Sequence, residues 1–476
     1  MPGEHLEQER KLDVPADFEL PELPGARVET HRLRATYYDT DDALLQARGV
    51  TLRRRVGGPD DGWHLKLPHP EGRLELHADV GPTRPPRELT ALLRGLRFDR
   101  PLQRRAVLET TRHAYRLHTS EGELVAEVAD DHVHATVGPA HDSVRWREVE
   151  VELGPAGTAD TIDELADLLV AHGATPSAHG SKLARAVGKP PQRPPLSGVA
   201  GLVDDYLRAQ YERLALGDLQ LRRGENAVHR TRVAVRRTRS TLRIFAPLLD
   251  RERAAELDRE LSWYAEALGR VRDLDIVRQQ VAQDVEEDAG DLIDAESGND
   301  LLRILDTDRR DAWDHVLTVL DGRRYGALLH LLDEWRRDAP WTGDTATHDA
   351  GTDVEAFVER AQQKYDKRLV RAISTADAPD EAFHRARKAA KRARYAAELA
   401  QPAMGRAAKR IVSRHEELQE QLGALQDHVM LITTLGEVAA RETTSPQVGF
   451  GCGVLAQRHA QAGLRARHRF SAEPGG

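Results

Sequence analysis

The hydrophobic pattern changes period once along the chain, near residue 200. Before that point apolar and polar residues alternate over short runs, at Thr51–Val56, Trp63–Leu67, Arg73–Ala78, Leu124–Val128 and Trp146–Leu153. A period of two is the signature of a strand. Gly57-Gly58-Pro59 and Glu71-Gly72 supply hairpin turns. Short amphipathic helices are expected at Asp41–Gln46, Glu88–Leu93 and Thr161–His172. Lys189–Gly198 is proline-rich; proline lacks a ladder donor and favours extended backbone, so this is a semi-rigid spacer. From Val203 onward the period becomes that of a helix. Helices are expected over 203–218, 222–249, 253–268, 270–290, 306–319, 324–336, 352–375, 381–401, 403–422 and 424–441, with breaks at Glu296–Asp300 and Asp338–Gly351. The pattern therefore predicts an α+β domain over 1–187, a linker over 188–199 and an all-α domain over 200–470.

Two features of the pattern carry chemistry. In the first half, Glu148, Glu150 and Glu152 alternate with Val149, Val151 and Leu153, and Glu7, Glu9 and Lys11 also stand at every second position. Alternation places each set on one strand face. Like charges facing one another across strands repel. Either this is the solvated face of an ordinary sandwich, or it is the polar interior of a closed sheet covered outside by helices. In the second half a basic helix occurs twice. His229-x-x-Arg232-x-x-x-Arg236-Arg237-x-Arg239 matches His384-x-x-Arg387-x-x-x-Lys391-Arg392-x-Arg394. Downstream, Leu268-Gly269-x-x-x-Asp273 matches Leu422-Gly423-x-x-x-Asp427, at an offset one residue shorter. Such order implies two homologous bundles, about 203–340 and 352–445, packed about an approximate twofold. The 3-4-3-4 spacing puts His229, Arg232, Arg236, Arg239 and Arg243 on one helix face, beside the apolar stripe Val228, Val235, Leu242 and Leu249.

Composition sharpens this. The 476 residues are 40% hydrophobic and 31% charged, with a net charge of −9 and 5% aromatics. An acidic chain poor in aromatic platforms is not built to track nucleic acid. Its basic groups are local, which suits a thin polyanion entering a groove, held by bidentate arginines. The alternative is a bundle tied by interhelical ion pairs. Cys452 stands alone, which excludes an intramolecular disulfide and a thiolate metal cluster. No apolar run approaches a membrane span and no apolar signal segment opens the chain, so a cytoplasmic location is expected. Glu7, Glu9, Glu148, Glu150 and Glu152 offer oxygen ligands for Mg2+ or Mn2+; Arg53, Arg55, Lys66, Arg73 and Lys182 offer positive charge. Together these groups suit phosphoryl transfer to water.

Glu7-x-Glu9-x-Lys11 resembles the signature of the CYTH domain, the triphosphate tunnel metalloenzymes. Tyr38-Asp39-Thr40, Leu52-Arg53-Arg54-Arg55, Trp63-His64-Leu65-Lys66-Leu67-Pro68, Arg73-Leu74-Glu75, Glu127 with Asp131, Glu148-x-Glu150-x-Glu152 and Ser181-Lys182 follow in the family's order. The resemblance covers about residues 3–187. It implies an eight-stranded antiparallel β-tunnel with flanking helices and hydrolysis of inorganic or thiamine triphosphate, or cyclisation of ATP. It implies that Glu7, Glu9, Glu150 and Glu152, with Glu148 in reserve, hold metal. Lys11, Arg53, Arg55, Lys66, Arg73, Arg112 and Lys182 form the phosphate clamp, Glu7, Glu9, Lys11 and Lys66 stand at the reacting centre, and Glu75, Glu127 and Asp131 complete the acidic lining. Val107 and Glu109 depart from the family's more basic strand before Arg112, a shortened wall that is expected to lower activity or change chain-length preference. The two basic segments, including Arg237 and Arg392, resemble the CHAD domain, a helical domain whose members bind inorganic polyphosphate. That implies polyphosphate as partner and polyphosphate granules as a location. The alternatives are a non-catalytic polyphosphate-targeting protein, an adenylate cyclase and a thiamine triphosphatase. Neither oligomeric state nor pathway is readable from the chain.

Overall fold

Alternating strands produce one curled antiparallel sheet in the first half of the chain. In the computed structural model, residues 3–79, 81, 83–138, 142–191, 193–288, 292–343, 352–373 and 380–472 are described. They fall into two compact units, Met1–Arg193 and Pro194–Gly476. The strands of the first unit are β1 Gly3–Glu7, β2 Glu9–Val14, β3 Arg27–Asp39, β4 Thr51–Val56, β5 Gly62–His69, β6 Gly72–Asp79, β7 Gln103–His118, β8 Leu124–Val137, β9 Asp142–Leu153 and β10 Thr175–Pro176. Their order across the sheet is β1-β6-β5-β4-β3-β7-β8-β9-β2-β10. Among the described residues there are ten strands where eight were expected, because the first is broken at Gln8 and a two-residue strand joins the edge. Glu7 pairs with Arg73 on β6, whereas Glu9 pairs with Glu152 on β9. The chain thus crosses at Gln8 from one end of the strand order toward the other, and Leu153 N donates to Gln8 O at 2.9 Å. Gly72, at φ +149°, lets β1 approach; a Cβ there would collide with the Glu7 carbonyl.

The helices of this unit are α1 Leu44–Ala47, α2 Arg87–Leu92, α3 Ala159–Ala171 and α4 Lys182–Val187. They explain the alternation. Val128, Val149 and Val151 pack with Ile162 and Leu169 of α3, and Leu108, Val133 and Ala135 pack with Leu183 of α4. Val128, Val149 and Val151 alternate with the charged residues, so α3 covers the side away from them, whereas Leu108, Val133 and Ala135 share their strand faces with Arg112 and Asp131, so α4 packs on the charged side. A capping box at Thr158 and Thr161 fixes the start of α3. Ser181 caps α4 by accepting from Ala184 N at 3.1 Å, which places Lys182 at the first helical position.

The second unit is all-helical: α5 Gly198–Arg222, α6 Val228–Ile244, α7 Arg251–Asp288, α8 Ala295–Asp321, α9 Arg323–Arg337, α10 Thr352–Ile373, α11 Asp380–Met404, α12 Arg406–Ala439 and α13 Pro446–Ala472, with a 3-10 turn at Ala246–Leu248. Several expected boundaries change. Gly269 and Gly423 do not end helices; α7 and α12 run through them. The break at Glu296–Asp300 is the first turn of α8, where Asp294 caps by accepting from Ser297 N at 2.8 Å. α13 was not expected, because Gly449, Gly451 and Gly453 mask its period. Residues 289–290 and 374–375 of expected helices, Gln192 of the spacer and 344–351 of the second break lie outside the described residues. On α6 the stripe Val228, Val235 and Leu242 is buried. The buried Thr231, Thr238 and Thr241 bond the carbonyls four residues back, so their hydroxyls cost nothing inside the bundle. α6 packs on α11, and α7 on α12, so like-placed helices of the two halves meet.

Candidate functional sites

The concave side of the sheet encloses a cavity of about 230 Å3 whose wall is mostly charged. Sheet register builds it in rungs. One rung lines up Arg116, Glu127, Glu152 and Glu9; another lines up Arg112, Asp131, Glu148 and Asp13; between them Glu150 faces Lys11. On the far wall Thr51, Lys66, Glu75 and His5 form a rung. Of the residues singled out in the sequence, Glu7, Glu9, Lys11, Arg53, Arg55, Lys66, Arg73, Arg112, Glu150, Glu152 and Lys182 all line this cavity. Glu148 lies just behind it, buried against Lys182.

Acids and bases are interleaved rather than separated. Lys66 bonds Glu7, and Lys11 lies 2.8 Å from Glu9 and also contacts Glu150. Arg112 makes two bonds to Asp131, at 2.8 and 2.7 Å, and one to Glu150 at 2.9 Å. The Lys182 ammonium stands among three carboxylates, 3.0 Å from Asp131, 2.8 Å from Glu148 and 2.6 Å from Glu150. Those three buried acids each bring an oxygen within 4.8 Å of the others. The oxygen donor set fits a hard divalent cation, and the ammonium marks a position where positive charge is stable. Glu7, Glu9 and Glu152 lie outside that trio, and Asp131, expected only as lining, lies within it.

Val107 and Glu109 do not face the cavity. Glu109 is exposed on the outer side of β7, 3.9 Å from Arg34, so the expected gap in the basic wall is absent from the cavity lining. His64, which bonds Glu75 at 2.8 Å, stands in the Trp63–Pro68 motif but was given no role, and Asp60, which pairs with Arg55, carries no motif and was missed. Asp60 sits in a hairpin loop, where no periodicity could have marked it.

The second unit holds a larger groove, of about 920 Å3, between the two basic helices and their neighbours. It is lined by His229, Arg232, Arg236, Arg239 and Arg243 from α6 and by His384, Arg387, Lys391, Arg392 and Arg394 from α11. Arg237 points elsewhere: it pairs with Glu398 at 2.8 Å, in a network that also holds Tyr206. Arg272 and Lys388 also line the groove and were missed, although Arg272 stands directly before the motif residue Asp273. The glycine motif acquires a reason here. The Arg232 guanidinium rests over Gly269 and reaches Asp273 at 3.2 Å, and the Arg387 guanidinium rests over Gly423. Some groove arginines are neutralised, Arg239 and Arg243 by Asp258 and Arg394 by Glu398 and Glu416. Among the described residues, Arg236, Arg272, Arg387, Lys388, Lys391 and Arg392 have no carboxylate within ion-pair distance.

Family models match both halves: a CYTH domain over residues 5–186 and a CHAD domain over 205–436. The chain is 33% identical over 511 aligned positions to the uncharacterized protein Rv2226 of Mycobacterium tuberculosis, covering 99% of this chain and 96% of that one. It belongs to the CYTH–CHAD proteins. PptA from Streptomyces chartreusis is similar in structure at 21% identity, over 58% of this chain and 100% of that one, with a TM-score of 0.49. The CHAD domain from the plant Ricinus communis is similar at 22% identity, over 58% and 95%, with a TM-score of 0.47. The combination of a CYTH domain, a CHAD domain and the Asp131–Glu148–Glu150 cluster supports a metal-dependent activity on phosphoanhydrides. Among the described residues no helix is long and apolar enough to cross a membrane.

Electrostatics differ between the two domains. In the CYTH cavity, burial opposes the charges of Lys11 and Lys182, but Glu150 and Glu9 for the first, and Glu148 and Glu150 for the second, hold both pKa values above the ordinary. Burial, reinforced by Arg53 and Arg112, brings Arg55 down to about 9. Burial and the neighbouring Glu7 push Glu152 up to about 7. In the CHAD groove the nearby acids, Asp427 and Asp258, do not offset burial and the neighbouring arginines. Burial, with Arg236 and Arg387 nearby, lowers Lys391 to about 6, and burial followed by Arg243 lowers Arg392 to about 10. Burial also lowers His229 and His384. The cavity is balanced without a ligand, whereas the groove is short of negative charge.

Proposed function

We propose that the CYTH domain hydrolyses inorganic triphosphate, or a related triphosphate, with Mg2+ or Mn2+, and that the CHAD domain holds inorganic polyphosphate. The observation that carries the first part is the convergence of clamp bases and carboxylates from eight strands on one cavity. In this reading Arg53, Arg55, Arg73, Arg112, Lys66 and Lys182 bind phosphoryl oxygens, replacing carboxylate partners by phosphate. Asp131, Glu148 and Glu150 would hold the metal, with Glu7, Glu9 and Glu152 nearby; bound there, the cation supplies charge neutralisation on phosphoryl oxygens. Lys11 keeps Glu9 and Glu150 oriented. The burial of the site excludes bulk water and strengthens each charge contact. The curled sheet, joined through Gln8, closes as a tunnel in this proposal, and the two helical halves are related by an approximate twofold that pools α6 and α11 in one groove. The uncompensated groove cations are what a long phosphate chain would neutralise. A cytoplasmic location, at polyphosphate granules, follows from the same reading.

Phosphate release from tripolyphosphate, ATP and thiamine triphosphate, each with Mg2+ or Mn2+, tests the catalytic part. Metal-dependent release fastest with tripolyphosphate is expected, and Glu9→Gln should lose it while keeping its circular dichroism spectrum. Cyclic AMP formed from ATP would reassign the cavity to a cyclase. Binding of triphosphate without turnover would reassign the protein as a targeting module.

A further inference from the structure

Next to the basic groove, with which it shares His384 and Gln426, a further cavity of about 310 Å3 opens among α11, α12 and α13. Its wall is mostly apolar, with Phe383, Leu422, Val429 and Ile432, but two imidazoles meet in it. His428 Nδ1 of α12 lies 2.9 Å from His459 Nδ1 of α13. His459 Nε2 in turn lies 2.7 Å from Asp284 Oδ2 of α7, and the other oxygen of that carboxylate accepts from Gln280 at 3.0 Å. Gly463 presents bare backbone to the His428 ring, where a Cβ would lie 3.5 Å from the His428 Cβ.

This geometry fixes protons. An ionised Asp284 can only accept, so His459 donates Nε2–H to it. The neutral ring then carries a lone pair at Nδ1, aimed at the His428 nitrogen. Two ring nitrogens share one proton between them. A carboxylate behind one imidazole, with the other nitrogen of that ring facing a cavity, is the arrangement that orients metal-ligating histidines and raises their basicity. We propose that His428 Nδ1 and His459 Nδ1 bind a divalent transition metal, with Asp284 as the positioning residue. The ion takes the place of the shared proton: the His428 Nδ1–H bond breaks, Nε2 of the same ring takes up a proton from solvent so that the imidazole stays neutral, and both Nδ1 nitrogens become ligands. Metal–nitrogen bonds of about 2.0–2.1 Å ask the two nitrogens to part by only a few tenths of an ångström. Solvent in the cavity completes the coordination. Nitrogen donors select Zn2+, Co2+, Ni2+ or Cu2+ over the hard cations that suit the carboxylates of the CYTH cavity. Such an ion would tie α12 to α13 and, through Asp284, to α7.

The test is titration of the full-length protein with Co2+, and then Zn2+, in excess Mg2+ to fill the carboxylate site. One equivalent is expected, with a visible Co2+ band typical of nitrogen ligation and a rise in melting temperature. His428→Ala and His459→Ala should each lose that equivalent and the thermal shift. Asp284→Asn should keep the stoichiometry and weaken affinity by about 10–100-fold. Equal uptake by the wild type and either histidine variant overturns the proposal. If a histidine variant fails to fold, the ring-carbon NMR signals of His428 and His459 in the wild type decide: they must shift on adding one equivalent of Zn2+, and unshifted signals overturn it.

Discussion

At the scale of single residues the two sites behave oppositely, and each has its own test. Lys391 is buried and surrounded by Arg236, Arg387 and Arg232, with Asp427 as the weaker counterweight, and its pKa falls to about 6. A bound polyanion would restore its proton. Polyphosphate affinity should therefore be highest below pH 6 and fall as pH rises through 7 and 8, with proton uptake visible as a buffer-dependent binding enthalpy. The free protein should show the reverse in stability. Between about 6 and the ordinary lysine range the unfolded chain binds one more proton than the folded one, so Lys391 makes the melting temperature rise with pH there. Lys391→Met should flatten both profiles; unchanged profiles would show that this lysine is not the titrating group. In the cavity, Arg55 is held by Asp60. Arg55→Ala should weaken tripolyphosphate binding at least about tenfold, since a charge-assisted bond contributes about 1.5–3 kcal/mol. Asp60→Asn should tighten it, because the arginine no longer has a competing carboxylate. Calorimetry of both variants checks the pair, and equal affinities would remove Arg55 from the clamp.

Among secondary-structure elements, what could be read from the sequence depended on which force set the pattern. Strands such as Thr51–Val56 and Trp146–Leu153 alternate because one side meets helices and the other a charged cavity, so period two survived intact. Arg27–Asp39 and Gln103–His118 are longer strands that escaped notice. The exposed Arg32, Arg34 and Glu109 alternate with the buried Leu33, Ala35 and Leu108, but the polar cavity-facing His31 and Arg112 interrupt the apolar side of the same strands. The break at Gln8 was hidden because Glu7, Glu9 and Lys11 keep their spacing across it. α7 and α12 were split at glycines whose role is to seat an arginine, not to end a helix. The α6 and α11 faces, by contrast, were largely legible, except that Lys388 was missed and Arg237 was grouped with its neighbours although it pairs with Glu398. Charge reversal separates the faces from that structural pair. Arg232, Arg236 and Arg239 changed together to Glu should abolish polyphosphate retardation in a gel, and Arg387, Lys391 and Arg394 changed to Glu should weaken it strongly. Wild-type retardation by both triple variants, with helicity retained, would show that the basic faces serve packing alone.

For the whole molecule, two units with opposite electrostatic habits share one chain. The CYTH unit pairs nearly every cavity charge internally, so it is stable empty and must exchange partners to bind. The CHAD unit leaves groove cations unpaired, so part of its stability awaits a ligand. Each unit has its own buried core, with the α3 and α4 packing in one and the α10–α12 cluster in the other. A division between Arg193 and Pro194 should therefore yield two folding fragments. Residues 1–193 should keep metal-dependent release of phosphate from tripolyphosphate, and residues 194–476 should keep polyphosphate binding. Because the groove acts by charge on charge, affinity of the helical fragment should fall steeply as salt rises and its melting temperature should climb with added polyphosphate. The catalytic fragment, whose partners are buried and already paired, should respond far less to salt. Fragment 194–476 that melts cooperatively yet gains nothing from polyphosphate at low salt would end the polyanion reading of the groove, whatever the cavity of the other fragment hydrolyses.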